Sequence, residues 1–376
     1  MGMTATRITS TKWQNSLITH GAMFENGAII HFGDAKSELV ATINNNILCD
    51  LNHLGLLEIS GADAVTFLQG QVTNDVNLLA SQDNVSVAHY SAYCNPKGRM
   101  LALFLAFAHH NNQLGDHLHL QFNRALLEPI MKRLKMYVMR SKVEIKDTSE
   151  SIIKFGINGP QAASILGLVF NKTFGLAKIT SNKMPVQDYE LVSLENGAIL
   201  KLPTISGHQR FEIFTDAVNA PIIWNALKAS CQLVGKPCWD WLEIQAGIPD
   251  VEPATQEQFV PQMLNLDILN GINFKKGCYT GQEIVARTHY LGSVKRRTYL
   301  TEVNTPPADL RQTPSAGDKV LDAKQNEVGQ IVRVAANPFN GYDALIEMRI
   351  DAQQAGKVFW DKVPISTKPL PYNLED

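Results

Sequence analysis

The feature that most constrains this chain is a set of β-prone runs arranged in pairs, each pair split by a short turn-forming connector. Val85 to Tyr93 and Met100 to Phe107 flank Cys94-Asn95-Pro96-Lys97-Gly98-Arg99, a connector of turn residues and two cations that suits a hairpin. Tyr189 to Ser193 and Ala198 to Leu202 flank Asn196-Gly197, a strong two-residue hairpin signal. Hairpins make antiparallel sheets, so a doubly wound parallel sheet is excluded and an α+β fold is predicted. No Gly-x-Gly-x-x-Gly and no Gly-x-x-x-x-Gly-Lys-Ser/Thr occurs, so nothing points to a nucleotide fold.

The remaining elements fit between these pairs. Residues 1–50 read as polar and irregular, with a turn at Asn44-Asn45-Asn46. Leu56 to Ile59 is a short strand, and Ser60 with Asp63 caps a helix carrying Val65 and Leu68 inward and ending at Gly70. His117 to Phe122 alternates as a strand. Leu127, Ile130, Met131, Leu134 and Val138 have helical spacing. Val143 to Ile145 and Ile152 to Ile157 are strands, Gly159-Pro160 opens a helix, Phe211 to Phe214 is a strand, and a helix runs from Asp216 to about Ala229. Pro306 to Gly317 reads as a linker. The short strands beyond it (Lys319 to Leu321, Val328 to Val334, Ala344 to Met348, Lys357 to Trp360) predict a small antiparallel barrel. The expected units are 1–50, an extension and the start of the core; 51–298, an α+β core of two interleaved subdomains; and 299–376, the barrel.

Charge narrows the partners. The net charge of −2 offers no general attraction to nucleic acid, which argues against direct tRNA binding. Lys295-Arg296-Arg297 is the one cationic triplet, and it reads as a solvated strand or loop end. Five cysteines without a Cys-x-x-Cys fit a reducing cytoplasm and argue against a permanently held metal or cluster, which wants about four thiolates. No signal peptide is evident, and no run approaches the roughly 18 apolar residues of a membrane span.

The chemistry concentrates in Lys276-Gly277-Cys278-Tyr279-Thr280-Gly281-Gln282-Glu283 and, four residues on, Arg287. Two glycines bracket the thiol, and Thr280 with Glu283 has capping-box spacing, so a helix should begin at Gly281. A helix N-terminus beside Lys275, Lys276 and Arg287 favours an anionic sulfur. Glu283 and Arg287 have the spacing of a helical ion pair. An inert, packed cysteine in a glycine-flanked turn is the alternative, and exposure decides between them.

That string resembles the signature of the YgfZ family, folate-binding proteins related to the T-protein (aminomethyltransferase) of the glycine cleavage system. Phe67-Leu68-Gln69-Gly70-Gln71-Val72-Thr73-Asn74-Asp75, Pro96-Lys97-Gly98-Arg99, Ala246-Gly247-Ile248-Pro249 and Leu370-Pro371-Tyr372 resemble further family segments, covering roughly residues 50 to 376. The resemblance implies a cloverleaf of two α+β subdomains and a C-terminal antiparallel barrel around a central channel. It implies a cytoplasmic protein that binds tetrahydrofolate or a derivative and supports iron–sulfur enzymes and cluster-assembly proteins, including those that modify tRNA. Cys278 is then the functional thiol. Trp239 matches a folate-contact position, and Glu212 matches the carboxylate that holds the pterin edge. Lys97, Arg99 and Arg287 are candidates for the carboxylates of the folate tail, which Arg can bind in a fork.

Two departures stand out against the family pattern. Leu54 occupies a place where relatives can carry a second folate-contacting Trp. Ala102 and Leu103 stand where aminomethyltransferases carry an acid pair, and neither can relay a proton. The expected function is therefore a folate-binding accessory protein, with a folate-dependent one-carbon transferase as the alternative.

Overall fold

The computed structural model describes residues 12–80, 84–111, 115–173, 184–194, 197–304 and 313–374. Two sheets and a barrel carry the fold. A five-stranded antiparallel sheet has the order His89–Cys94, Met100–Asn111, Gly115–Asn123, Leu54–Ser60, Glu144–Asp147. A seven-stranded sheet has the order Gln232–Val234, Ile47–Asp50, Ile152–Gly159, His208–Asp216, Gly197–Ile205, Glu190–Leu194, Val85–Val87. Its one parallel pairing joins Gln232–Val234 to Ile47–Asp50. The fold is α+β, as the hairpin pattern requires.

Both predicted hairpins form. Cys94 pairs with Met100 across the Pro96-Lys97-Gly98 turn, with Gly98 at φ 69°. Leu194 pairs with Gly197, although Asn196 itself lies outside the described residues. The run before the first turn divides, however. Val85–Val87 joins the seven-stranded sheet and His89–Cys94 the five-stranded one, so this segment crosses between the two units.

Several local expectations change. Residues 12–50 are not irregular: residues 12–19 are helical, Met23–Glu25 and Ala28–His31 form a hairpin, and Ala35–Asn44 is a helix capped by the Asp34 side chain. Trp13 and Leu17 are buried, so polar neighbours hide an amphipathic pattern. Ser60 ends a strand rather than capping a helix. The helix is Ala64–Gln69, and its cap residue Asp63 accepts instead from the Lys142 backbone N–H. Within it Val65 faces solvent and Phe67 joins Leu68 inside. The helix expected from Asp216 is Ala220–Leu227, because the Asp216 side chain is spent on the turn at Val218 and Asn219.

The barrel closes through Arg296–Val303, Tyr342–Arg349, Glu327–Ala336, Lys319–Asp322, Val358–Trp360 and Val363–Thr367, the last returning to pair with the first. Its first strand straddles the expected boundary at 298/299, and most of the expected 306–317 linker lies outside the described residues. The cationic triplet is not a solvated end. Arg296 is ion-paired with Glu347, and Arg297 with Asp267 at 2.6 Å.

Helix Lys236–Gln245 docks the barrel onto the core. Asp343, 1% exposed, accepts from Trp241 Nε1 (2.9 Å), Gln245 Nε2 (2.8 Å), Asn337 Nδ2 (3.1 Å) and Lys368 Nζ (2.8 Å). Two of those donors come from the helix and two from the barrel unit. Asp343→Ala strands Trp241, Gln245 and Asn337, while Lys368 keeps Glu302 at 3.1 Å, so a loss of about 3 kcal/mol is expected in urea unfolding, as for several buried donors left unpaired. A loss below about 1 kcal/mol would show that the barrel docks by other contacts.

Candidate functional site

A cavity lies where the two sheets, the N-terminal hairpin and the barrel meet. Its wide part encloses about 770 Å³ and is walled in part by Trp13, Ala28, His53, Arg124, Lys236 and Arg333. A narrow slot of about 50 Å³ continues it inward, and Leu54, Asn123, Asp250 and Arg333 line both. Together they fall in the range of small-molecule sites.

Several elements line the slot. Strand Gly115–Asn123 turns Gln121 inward, strand His208–Asp216 turns Glu212 inward, and helix Lys236–Gln245 adds Trp239 and Glu243. Glu212 is 2% exposed, and Gln121 Nε2 donates to its Oε2 at 2.8 Å. Burial pushes the Glu212 carboxyl up to about 7, against the Gln121 bond and the nearby Arg210 and Lys154 charges, which favour the anion. Trp239 is 1% exposed and wedged on Gly156, where an added Cβ would fall 2.3 Å from the indole. The Arg210 guanidinium lies 5.4 Å from its ring centroid.

Charged groups in the slot wall and behind it pair off. Arg210 Nη1 donates to Glu243 Oε1 at 2.5 Å, Arg333 Nη2 to Asp240 Oδ1 at 2.8 Å, and Arg333 reaches Glu243 at 3.6 Å. Four polar atoms stay without a hydrogen-bond partner: Gln121 Oε1, Trp239 Nε1, and Nε and Nη2 of Arg210. Buried polar atoms are normally satisfied. Donors and acceptors left open around a slot with a carboxyl at its end fit the hydrogen-bonding edge of a pterin. Leu54, Leu103 and Leu105 supply apolar wall.

Cys278 belongs to a different face. It is exposed, and neither part of the cavity is lined by any residue of 276–287. The loop that carries it is clamped to the 67–75 segment. Lys276 Nζ donates to three backbone carbonyls, those of Gln69 (2.7 Å), Val72 (2.5 Å) and Asn74 (2.9 Å), and lies 5.1 Å from the Tyr279 ring centroid. Burial pushes the Lys276 ammonium down to about 8, opposed by Asp75, and the three carbonyls hold the protonated form. Thr73 Oγ1 donates to the Gly271 carbonyl, and Asn74 Nδ2 to those of Tyr90 and Asn270. The two signature segments thus meet in space. Tyr90 lines the slot, and Cys94, about 13 Å along the same strand, lies close enough to Tyr279 to influence its ionisation, so this strand leads from the slot toward the motif.

The helix after the thiol is Gln282–Tyr290, one residue later than expected. Gly281 takes the cap position at φ 85° with no side-chain cap, so Thr280 and Glu283 do not form a capping box. A Cβ at Gly281 would fall 2.5 Å from the Asn95 carbonyl oxygen, which explains the glycine by close approach of the hairpin. Gln282 and Glu283 open the helix, and Gly277 is exposed beside the sulfur. Glu283 makes no ion pair with Arg287. Lys97 and Arg287 are exposed, and Arg99 donates to the Gln258 carbonyl. None of these three cations lines the cavity; Arg124, Lys236 and Arg333 do. The pairing of Arg210, Asp240, Glu243 and Arg333 escaped the sequence reading. Charges set inside otherwise apolar elements were the available signal.

An α+β core with a closed C-terminal barrel and a shared central cavity defines the aminomethyltransferase-like class. The aminomethyltransferase T of the glycine cleavage system from Bartonella henselae has this fold, with a TM-score of 0.68 over 95% of this chain and 96% of that one at 19% identity. The GCVT N-terminal domain family matches residues 18–275. The tRNA-modifying proteins YgfZ of Shigella sonnei (strain Ss046) and Escherichia coli (strain K12 / DH10B) are each 32% identical over 344 residues, 88% of this chain and 94% of theirs. The chain belongs to the YgfZ family, within the GCVT fold. No helix among the described residues is long and apolar enough to cross a membrane.

The raised Glu212 carboxyl sets a pH dependence. Below about pH 4.5 the group is protonated in folded and unfolded chains alike. Between about 4.5 and 7 only the unfolded chain ionises, so stability falls across that window and stays reduced above it. Glu212→Gln should therefore raise the stability by on the order of 2 kcal/mol at pH 8 and by nearly nothing at pH 4. Chemical unfolding at the two pH values checks this; an equal gain at both would remove the buried carboxyl as its cause.

Proposed function

We propose that this chain binds tetrahydrofolate or a derivative in the central cavity and acts as an accessory factor for assembly or repair of iron–sulfur clusters in enzymes, including those that modify tRNA. Cys278 is its functional thiol. The observation that carries the folate reading is the buried Glu212–Gln121 pair, with open hydrogen-bonding atoms around it, at the inner end of a cavity wide enough for the rest of the ligand. Glu212 accepts from the N–H groups of the pterin edge, Gln121 holds the carboxylate in place, and Leu54 and Leu103 exclude water from the ring. Arg124 and Lys236, on the wide part, face the tail carboxylates. When bound, a folate supplies a carrier for a one-carbon unit.

Support for the accessory role comes from two features. Leu103, which the resemblance to the aminomethyltransferases sets against one of their paired acids, lines the slot, and the adjacent Ala102 is buried. With no proton relay at that place, the one-carbon transferase is the weaker reading. The second feature is the exposed sulfur on a clamped loop that lines neither part of the cavity. A thiol there is open to a protein partner and remote from a ligand in the cavity, which suits transient contact with a cluster or persulfide better than permanent ligation. The resemblance to YgfZ proteins supplies the client class, and a cytoplasmic location goes with it.

Two measurements test this. Titration of the purified chain with tetrahydrofolate should quench tryptophan fluorescence, and Glu212→Gln should weaken binding at least tenfold while Cys278→Ser leaves it unchanged. In cells lacking the native protein, Cys278→Ser should fold and accumulate normally yet fail to restore iron–sulfur enzyme activity. Full complementation by that variant would remove the thiol from the function, and unchanged folate affinity in Glu212→Gln would remove the slot.

A further inference from the structure

The helix that follows Cys278 presents apolar side chains to solvent. Val285, fully buried, faces the core, and Gln262 Nε2 anchors its carbonyl at 2.7 Å. Ile284 and Leu291 lie seven residues apart, two turns, and therefore share a face. They are 36% and 85% exposed, and Tyr290, next to Leu291 but turned to another side of the helix, is 64% exposed. Ile284 packs against the 95–99 hairpin, where a Cβ on Gly98 would meet it at 3.0 Å. At the other end Phe274 stacks on His289 with centroids 3.8 Å apart, and Tyr290 stands edge-on to both rings. Exposed apolar groups thus mark the two ends of the helix, Ile284 at the hairpin and Tyr290 with Leu291 at its close, with Arg287 and Thr288 on the turn between, and together they form a broken ridge.

Cations surround this ridge. Lys97, Lys275, Arg287 and Lys295 are exposed, and none forms an ion pair with a described residue. Glu283 is the one carboxylate on the helix. In a chain of net charge −2, this is a local surplus of positive charge. Apolar contact ringed by charge is the anatomy of a protein–protein interface. A single-stranded nucleic acid would want open ring faces for stacking. Here a face of Phe274 is covered by His289, and Ile284 and Leu291 offer no plane.

We infer that this ridge docks an acidic protein surface, whose apolar depression takes Leu291 and Tyr290 and whose carboxylates meet Lys97, Lys275, Arg287 and Lys295. Docking of this kind brings the partner's reactive group to Cys278. The inference rests on the reading of Cys278 as the functional thiol and adds the chemistry of what approaches it. Because the charges are exposed, they accelerate and orient the encounter, and the apolar ridge supplies most of the residence time.

The probe is a purified iron–sulfur tRNA-modifying enzyme from the same organism, passed over the immobilised full-length chain at low salt and at about 0.3 M salt. Wild type should bind, and binding should weaken with salt. Leu291→Asp and the double variant Arg287→Glu/Lys295→Glu should each raise Kd at least tenfold, with thermal unfolding unchanged, while Lys324→Glu, a charge reversal on the exposed barrel turn, binds as wild type. Leu291→Ser serves as the milder variant if the aspartate disturbs the helix. Absence of wild-type binding, or wild-type affinity in both patch variants, overturns the proposal. So does binding of tRNA alone that is lost in the same variants, which would make the ridge a nucleic-acid surface. Failure of the functional reading is separate: it appears as complementation by Cys278→Ser, whatever the Kd values.

Discussion

Two arginines from different sheets meeting two acids on one buried helix is the constraint on which the architecture depends. Arg210 comes from the seven-stranded sheet and Arg333 from the barrel, and they share Glu243 while Arg333 also holds Asp240. Asp240 and Glu243 sit three residues apart on helix Lys236–Gln245, one face of which therefore reads two units at once. The neighbouring cations hold Asp240 well below the usual carboxylate range despite its burial. Buried ion pairs add little net stability against an apolar alternative, but breaking one partner is costly. Their effect here is to fix the relative placement of sheet and barrel, and with it the width of the cavity between them.

The cavity and the thiol answer to different structural demands. A ligand slot needs desolvated, partly unsatisfied polar groups, and Glu212 tolerates a raised ionisation to meet that need. An exchanging sulfur needs access together with a fixed position, and three carbonyls around one ammonium supply the fixing. Strand His89–Cys94 spans the distance between them, with Tyr90 in the slot wall and Cys94 near the motif.

Much of this was legible in the sequence because local patterns carried it. The hairpin across Pro96-Lys97-Gly98, the helix with Leu127, Ile130 and Leu134 inward, and four of the barrel strands follow from alternation, helical spacing and turn chemistry. The meeting of the 67–75 and 276–287 segments was not legible: the resemblance marks both, but their contact is made by Lys276 reaching three distant carbonyls. What escaped depends on distant partners. Strand Arg296–Val303 was hidden by its charged start, which is neutralised by Glu347 and Asp267. Strand Val363–Thr367 carries Pro364, a residue that weakens any strand signal. Lys97, Arg99 and Arg287 carry charge that suits a folate tail, but none of them lines the cavity, a placement that depends on the fold and not on their local sequence.

The account turns on where a folate sits, so the most direct measurement is a crystal structure of the chain with 5-formyltetrahydrofolate. The account predicts the pterin in the slot, its N–H edge on Glu212 and Gln121 beside Trp239, with the tail toward Arg124 and Lys236. A ligand bound instead against Lys97, Arg99 and Arg287, with the slot closed over Glu212, would contradict it.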